Sequence, residues 1–133
     1  METSCKHFYD YQYIENDYAK YQNAEEHGFF STISMFSEKY KFNQFPCKKC
    51  LEVGSGRGLL QDIAEDYTGI DYSDSVARLY HKPFFCASAT DLPFGDNEFD
   101  IIWSAYVLEH VQNVELALDE MVRVTKSGGA FIT

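Results

Sequence analysis

An α/β fold on a parallel sheet, with helices on both faces, is what the residues from Cys47 to Thr133 predict. Three observations carry that expectation. Short apolar runs suited to buried strands alternate with segments of helical periodicity, an order that calls for parallel crossovers. The stretch LEVGSGRG, residues 51–58, puts three glycines at alternate positions directly after the first such run. The second run ends in an acid, Asp71.

The elements follow in chain order. The first 45 residues are rich in Tyr and Phe and hold no glycine other than Gly28. They read as an N-terminal helical region, residues 1–45, ahead of a core formed by residues 46–133. Residues 16–21 suit a short helix with Asn16 as its cap. In residues 28–42, Phe29, Ile33, Phe36 and Tyr40 recur at helical spacing, so one amphipathic helix is expected. Pro46 closes the region. Residues 49–53 are strand-like, and 59–66 read as a helix with Leu59, Leu60 and Ile63 on one face. Residues 68–71 form a short strand and 73–80 a helix. Residues 84–87 and 99–104 have the unbroken apolar character of buried strands. Residues 113–125 read as a helix capped by Asn113, with Val114, Leu118, Met121, Val122 and Thr125 along one side. Ser127-Gly128-Gly129 stops it, and residues 130–133 begin a fifth strand.

Composition narrows the function classes. A chain of 133 residues, 45% hydrophobic and 17% aromatic, supports one domain with a real core and is not disordered. No apolar run approaches membrane-spanning length, and the N-terminus lacks a signal-peptide core. The expected setting is therefore soluble and cytoplasmic. With 21 acidic against 11 basic residues the formal charge is −10, which repels phosphate backbones and counts against a nucleic-acid partner. Of four cysteines, Cys47 and Cys50 are spaced as a CxxC pair, but no second pair completes a zinc site. No metal is expected.

The glycine loop is where a ligand belongs, because parallel sheets bind ligands beyond the carboxyl ends of their strands. A dinucleotide fingerprint would need a glycine at position 59, which is Leu; the third glycine is Gly58. Glu52 stands two residues before the first glycine. A carboxylate there is a poor neighbour for a pyrophosphate and a good one for a cation. Asp71, at the end of the second strand, is placed to accept the hydroxyls of a ribose.

From about Cys50 onward the sequence resembles the class I S-adenosylmethionine-dependent methyltransferases, which have a Rossmann-like fold. LEVGSGRG is similar to their first motif and GIDYSD to their acidic second-strand motif. SATDLPFGDNEFDIIWSAYVLEHV resembles their third-to-fourth-strand segment, and ALDEMVRVTKSGGAFIT their following helix and fifth strand. The resemblance implies S-adenosylmethionine as cofactor and S-adenosylhomocysteine as product. By it, Glu52, Gly54, Ser55, Gly56 and Gly58 hold the methionine portion, Asp71 the ribose, and Tyr72 lies beside the adenine. Ala89 and Thr90 line the adenine pocket, and Ser104 and Ala105 meet the cofactor's amino group through backbone carbonyls. Position 88, where the family often has an acid, is Ser. The family's sheet has two strands beyond the fifth, so either the protein continues past Thr133 or the fifth strand is an open edge calling for a partner, such as a second copy.

Methyl transfer from a sulfonium needs alignment and exclusion of water rather than an enzyme nucleophile. The candidate base, where one is used, is His110. The aromatic N-terminal region is the natural lid, with Tyr13, Tyr18 and Tyr21 as shielding rings, and Tyr18 foremost; Tyr106 is a candidate for the acceptor side. The acceptor is unspecified, with a small molecule favoured over a protein. The alternative is a cofactor-binding module without turnover; a nicotinamide oxidoreductase is disfavoured by Leu59.

Overall fold

The computed structural model describes Asp10 and residues 22–133. Five strands form one parallel sheet: β1 (Lys49–Val53), β2 (Asp66–Asp71), β3 (Phe84–Cys86), β4 (Phe99–Ser104) and β5 (Thr125–Ile132). Their spatial order is β3-β2-β1-β4-β5. Two α-helices cover it, α1 (Phe30–Lys39) and α2 (Val114–Val124). The sheet is Rossmann-like, as expected from the alternation of elements. No helix among the described residues is long and apolar enough to cross a membrane.

Alternation along the strands divides the core in two. Leu51, Val53, Ile70 and Ile102 point to one face, where Ala117, Met121 and Val124 of α2 cover them. Cys50, Tyr67, Ile101 and Trp103 point to the other, under Ile33 of α1 and Phe42. Lys41, at φ 55, ends the helical run and turns Phe42 inward, where its ring stacks on Trp103 at 5.9 Å. The Arg123 guanidinium ties α2 to the approach to β4, bonding Glu120, Asp96 and the carbonyls of Leu92 and Phe94.

Several elements differ from expectation. The segment 59–66 is a run of turns, not a helix. Its apolar side chains are used (Leu60 and Ala64 are buried), but it is too short to nucleate a helix unaided. Side chains from elsewhere hold it instead: Asn43 accepts from Glu65 N and donates to Ile63 O, and Gln61 bridges to Leu79, His81 and Lys82. The helix expected at 73–80 is a 3-10 helix, Asp74–Leu79. In α2 the buried stripe is Ala117, Met121 and Val124, while Val114 and Val122 face solvent. β5 begins at Thr125, not Ala130, and Ser127-Gly128-Gly129 is a bulge within it. Phe99 pairs with Thr125 and Ile101 with Ala130, so one residue of β4, Asp100, stands against four of β5, residues 126–129. Gly128 makes that kink at φ 81. The short helix expected at 16–21, with Tyr13, Tyr18 and Tyr21, lies outside the described residues.

Cys47, Cys50 and Cys86 are free thiols. Cys50 is buried under the sheet, and that burial pushes its thiol well above the usual range. Among the described residues no cluster of His, Cys, Asp or Glu could hold a metal ion.

Candidate active site

Chain order decides where the crevice opens. From β1 the chain moves outward through β2 to β3, then returns to lay β4 on the other side of β1. The connections at the carboxyl ends of β1 and β4 therefore diverge and leave a gap between them. A cavity of about 570 Å³ lies there. One wall is the glycine loop, residues 54–57 with Leu59, together with Ile70, Asp71 and Tyr72 from the end of β2 and Ala87 and Ala89 beyond β3. The facing wall is Glu26, His27 and Gly28, with Ala105, Tyr106, Val107 and His110 from the segment after β4.

The glycines of the loop serve two purposes. Gly54 has φ 72, and a Cβ there would lie 2.2 Å from Val107 Cγ2. Gly58 has φ 73, and a Cβ there would meet the Tyr80 ring and the Gln61 amide at 2.8 Å. Both positions let this chain's own side chains close on the loop. The exposed part, residues 54–57, is what faces the cavity.

The loop is held by polar groups from below. Ser55 N donates to the Ile70 carbonyl at 2.8 Å. The Tyr80 hydroxyl lies 2.7 Å from the Gly56 carbonyl and 2.6 Å from Ser55 Oγ. The Ser55 hydroxyl donates to the Ile70 carbonyl at 3.1 Å, so the single Tyr80 proton is shared between the Gly56 carbonyl and Ser55 Oγ. Tyr80→Phe removes both contacts while its ring stays stacked on Phe84, so a loss of about 1–2 kcal/mol is expected in urea unfolding. An unchanged midpoint would show that the loop stands without the hydroxyl.

Asp71, 5% exposed, spends both carboxylate oxygens on backbone: Oδ2 accepts from Gly56 N at 2.9 Å and Oδ1 from Ser73 N at 3.0 Å. Next to it, the Ser73 hydroxyl bonds the Asp10 carboxylate. Beneath the loop Glu52 is 2% exposed and accepts from the Tyr67 hydroxyl at 2.6 Å. Burial pushes its carboxyl up to about 8, against the opposing effects of Tyr67 and Trp103 and with a smaller push from Asp71. The Trp103 indole N–H completes no hydrogen bond of ordinary geometry, so Tyr67 is the partner that counts.

Of the residues singled out from sequence, Gly54, Ser55, Gly56, Asp71, Tyr72, Ala89, Ala105 and His110 come together around one cavity. Glu52, Gly58, Thr90 and Ser104 do not line it. Glu52 and Ser104 are buried behind the wall, Gly58 is closed off by Tyr80, and Thr90 bonds Ser88. Tyr18 lies outside the described residues. Arg57, Val107, Glu26 and His27 line the cavity without having been singled out. Arg57 had a signal, since it sits inside the glycine motif.

A methyltransferase-domain family model matches residues 51–133, well over half of the chain. The chain belongs to the methyltransferase-domain family. A demethylmenaquinone methyltransferase of Renibacterium salmoninarum is 32% identical over 96 residues, covering 65% of this chain and 40% of that protein. Among solved structures, a putative S-adenosylmethionine-dependent methyltransferase of Methanococcus maripaludis matches with TM-score 0.62 at 22% identity, over 79% of this chain and 57% of that one. The [4+2]-cyclase SpnF matches with TM-score 0.66 at 23% identity, over 96% and 58%. The chain thus spans about two fifths of the curated methyltransferase and under three fifths of these two structures.

S-adenosylmethionine is the cofactor of this methyltransferase domain, and the cavity's chemistry suits it. An acid at the end of β2 answers a ribose diol. Apolar Ile70, Ala87 and Ala89 beside Tyr72 offer a slot for a flat base. The backbone of residues 54–57 lines the side left for the amino-acid end.

Proposed function

We propose that this chain is the cofactor-binding part of an S-adenosylmethionine-dependent methyltransferase acting on a small molecule. The supporting observation is the placing of the Asp71 carboxylate at the switch-point cavity, bonded to the glycine loop it faces. In this reading Asp71 takes the ribose hydroxyls and Tyr72 covers the adenine. The backbone of residues 54–57 contacts the amino-acid end. Glu52 acts from beneath the loop rather than by contact, and Ser104 supports Ala105 rather than lining the pocket. Thr90 shapes the adenine slot through its bond to Ser88.

The cofactor supplies an activated methyl group on a sulfonium. The protein's part is to orient and to keep water out. His110 is the candidate base on the acceptor side, for acceptors that must lose a proton. Glu26, His27 and Gly28 form the closing side of the cavity, and residues 1–45 act as the lid over the core at 46–133. The demethylmenaquinone relative supports a small ring-bearing acceptor. A second reading is a cofactor-holding module without turnover.

Titration calorimetry with S-adenosylmethionine and S-adenosylhomocysteine tests the site, and mass-spectrometric screening for a methyl gain tests turnover. Binding is expected, and Asp71→Ala is expected to weaken it by about 1–3 kcal/mol, or roughly ten- to a hundredfold. Equal affinity in the variant would remove Asp71 from the site. Binding without turnover favours the second reading.

A further inference from the structure

The wall opposite the glycine loop is built around one histidine. His27 follows the 3-10 helix Ala24–Glu26 and reaches the cavity with a half-buried ring. Its Nδ1 accepts the Phe29 N–H at 3.0 Å. An accepting Nδ1 cannot carry a proton, so the ring's hydrogen is on Nε2. Burial lowers the ring's proton affinity and acts in the same direction. Nε2–H has no hydrogen-bond partner among the described residues and is not sealed in the interior. A fixed donor therefore sits on a ring that lines the cavity.

Beside it, Tyr106 is held at φ 60, a conformation that costs a residue with a side chain energy and is retained where the surroundings impose it. Its ring is 64% exposed and tilted 34° against His27, with centroids 6.4 Å apart. Gly28 makes room for it: a Cβ there would lie 2.9 Å from the Tyr106 hydroxyl. Two rings tilted 34° to each other and one open N–H thus line this side of the cavity, with the N–H as its polar point. A purely apolar acceptor would leave that N–H unpaired, and a strongly anionic one would find a neutral imidazole instead of a cation.

We propose that His27 is the acceptor-recognition residue, its Nε2–H donating to an oxygen of a flat, uncharged, hydroxyl-bearing ring that lies against Tyr106. The proposal deepens the methyltransferase reading and rests on it. His27 touches the acceptor and takes no part in moving the methyl group.

The test uses the whole chain saturated with S-adenosylhomocysteine, with naphthalene-1,4-diol, kept reduced, as probe and naphthalene as control. Histidine-ring ¹H–¹⁵N spectra are expected to show His27 protonated on Nε2 and to shift that nitrogen on adding the diol but not naphthalene. By calorimetry, His27→Phe is expected to lose at least tenfold in diol affinity with cofactor-product affinity kept within twofold. His27→Gln, which retains an N–H donor, is expected to recover part of the loss. An unmoved Nε2 signal, a protonated Nδ1, failure of the diol to bind, or equal diol affinity in His27→Phe overturns the proposal. Failure of S-adenosylhomocysteine to bind overturns the cofactor reading instead; the ring spectra with diol alone then decide for or against His27. The spectra need only the unaltered protein, so a variant that misfolds does not obscure the outcome.

Discussion

Gly54→Ala is expected to destabilise the protein by about 2–5 kcal/mol, seen as a large fall in the urea midpoint. Two costs add. A side chain at φ 72 costs about 1–2 kcal/mol. The new methyl also lands 2.2 Å from Val107 Cγ2 and 3.2 Å from both Cβ and Cγ1, so rotating the valine does not clear it. Overpacking of that kind costs about 1–3 kcal/mol. The steric part is separable. Adding Val107→Ala to Gly54→Ala is expected to recover about 1–3 kcal/mol relative to additivity, because the two positions share one space. Strict additivity would mean that the loop and the segment after β4 do not press on each other.

Glu52→Gln is expected to change how stability depends on pH. The carboxyl titrates at about 8 in the folded protein, against 4.5 for an ordinary one. Between those values the folded chain binds a proton that the unfolded chain has released, so stability falls as pH rises through the window. Below 4.5 the group is neutral in both states and contributes nothing. Above about 8 the penalty is complete, on the order of 3–5 kcal/mol. Glutamine keeps the shape and can still accept from Tyr67, but has no charge to expel. The variant is therefore expected to lose little at pH 5 and to be the more stable protein at pH 8.5. Other titrations are shared by both proteins and cancel in the difference. Parallel stability curves from pH 5 to 8.5 would show that Glu52 is not buried as the structure has it.

Much of this was legible in the sequence, for physical reasons. Strands 49–53 and 99–104 carry apolar residues on both faces because both faces are covered, whereas the strand at 84–86, expected to be buried, lies at the sheet edge with Phe85 and Cys86 exposed. The glycine loop and Asp71 could be placed because parallel sheets gather ligands at strand ends. The segment 59–66 was misread because its buried leucine and alanine are real, while what shapes it is Asn43 and Gln61, whose side-chain bonds leave no periodic trace. The bulge in β5 was read as a stop because a positive-φ glycine ends a helix and kinks a strand alike. Glu52 was expected at the ligand since the motif fixes its place in the chain. Its side chain alternates away from the cavity, toward Tyr67. His27 was invisible for a different reason: what marks it is a tautomer set by Phe29 and a neighbour, Tyr106, far along the chain.

Asp71 has a consequence for anyone collecting loss-of-function alleles. One carboxylate ties Gly56 of the glycine loop to Ser73 beyond β2, so the protein depends on it before any ligand arrives. An allele at this codon would register as defective whether the damage is slack scaffolding or missing grip, and a phenotype alone could not apportion the blame.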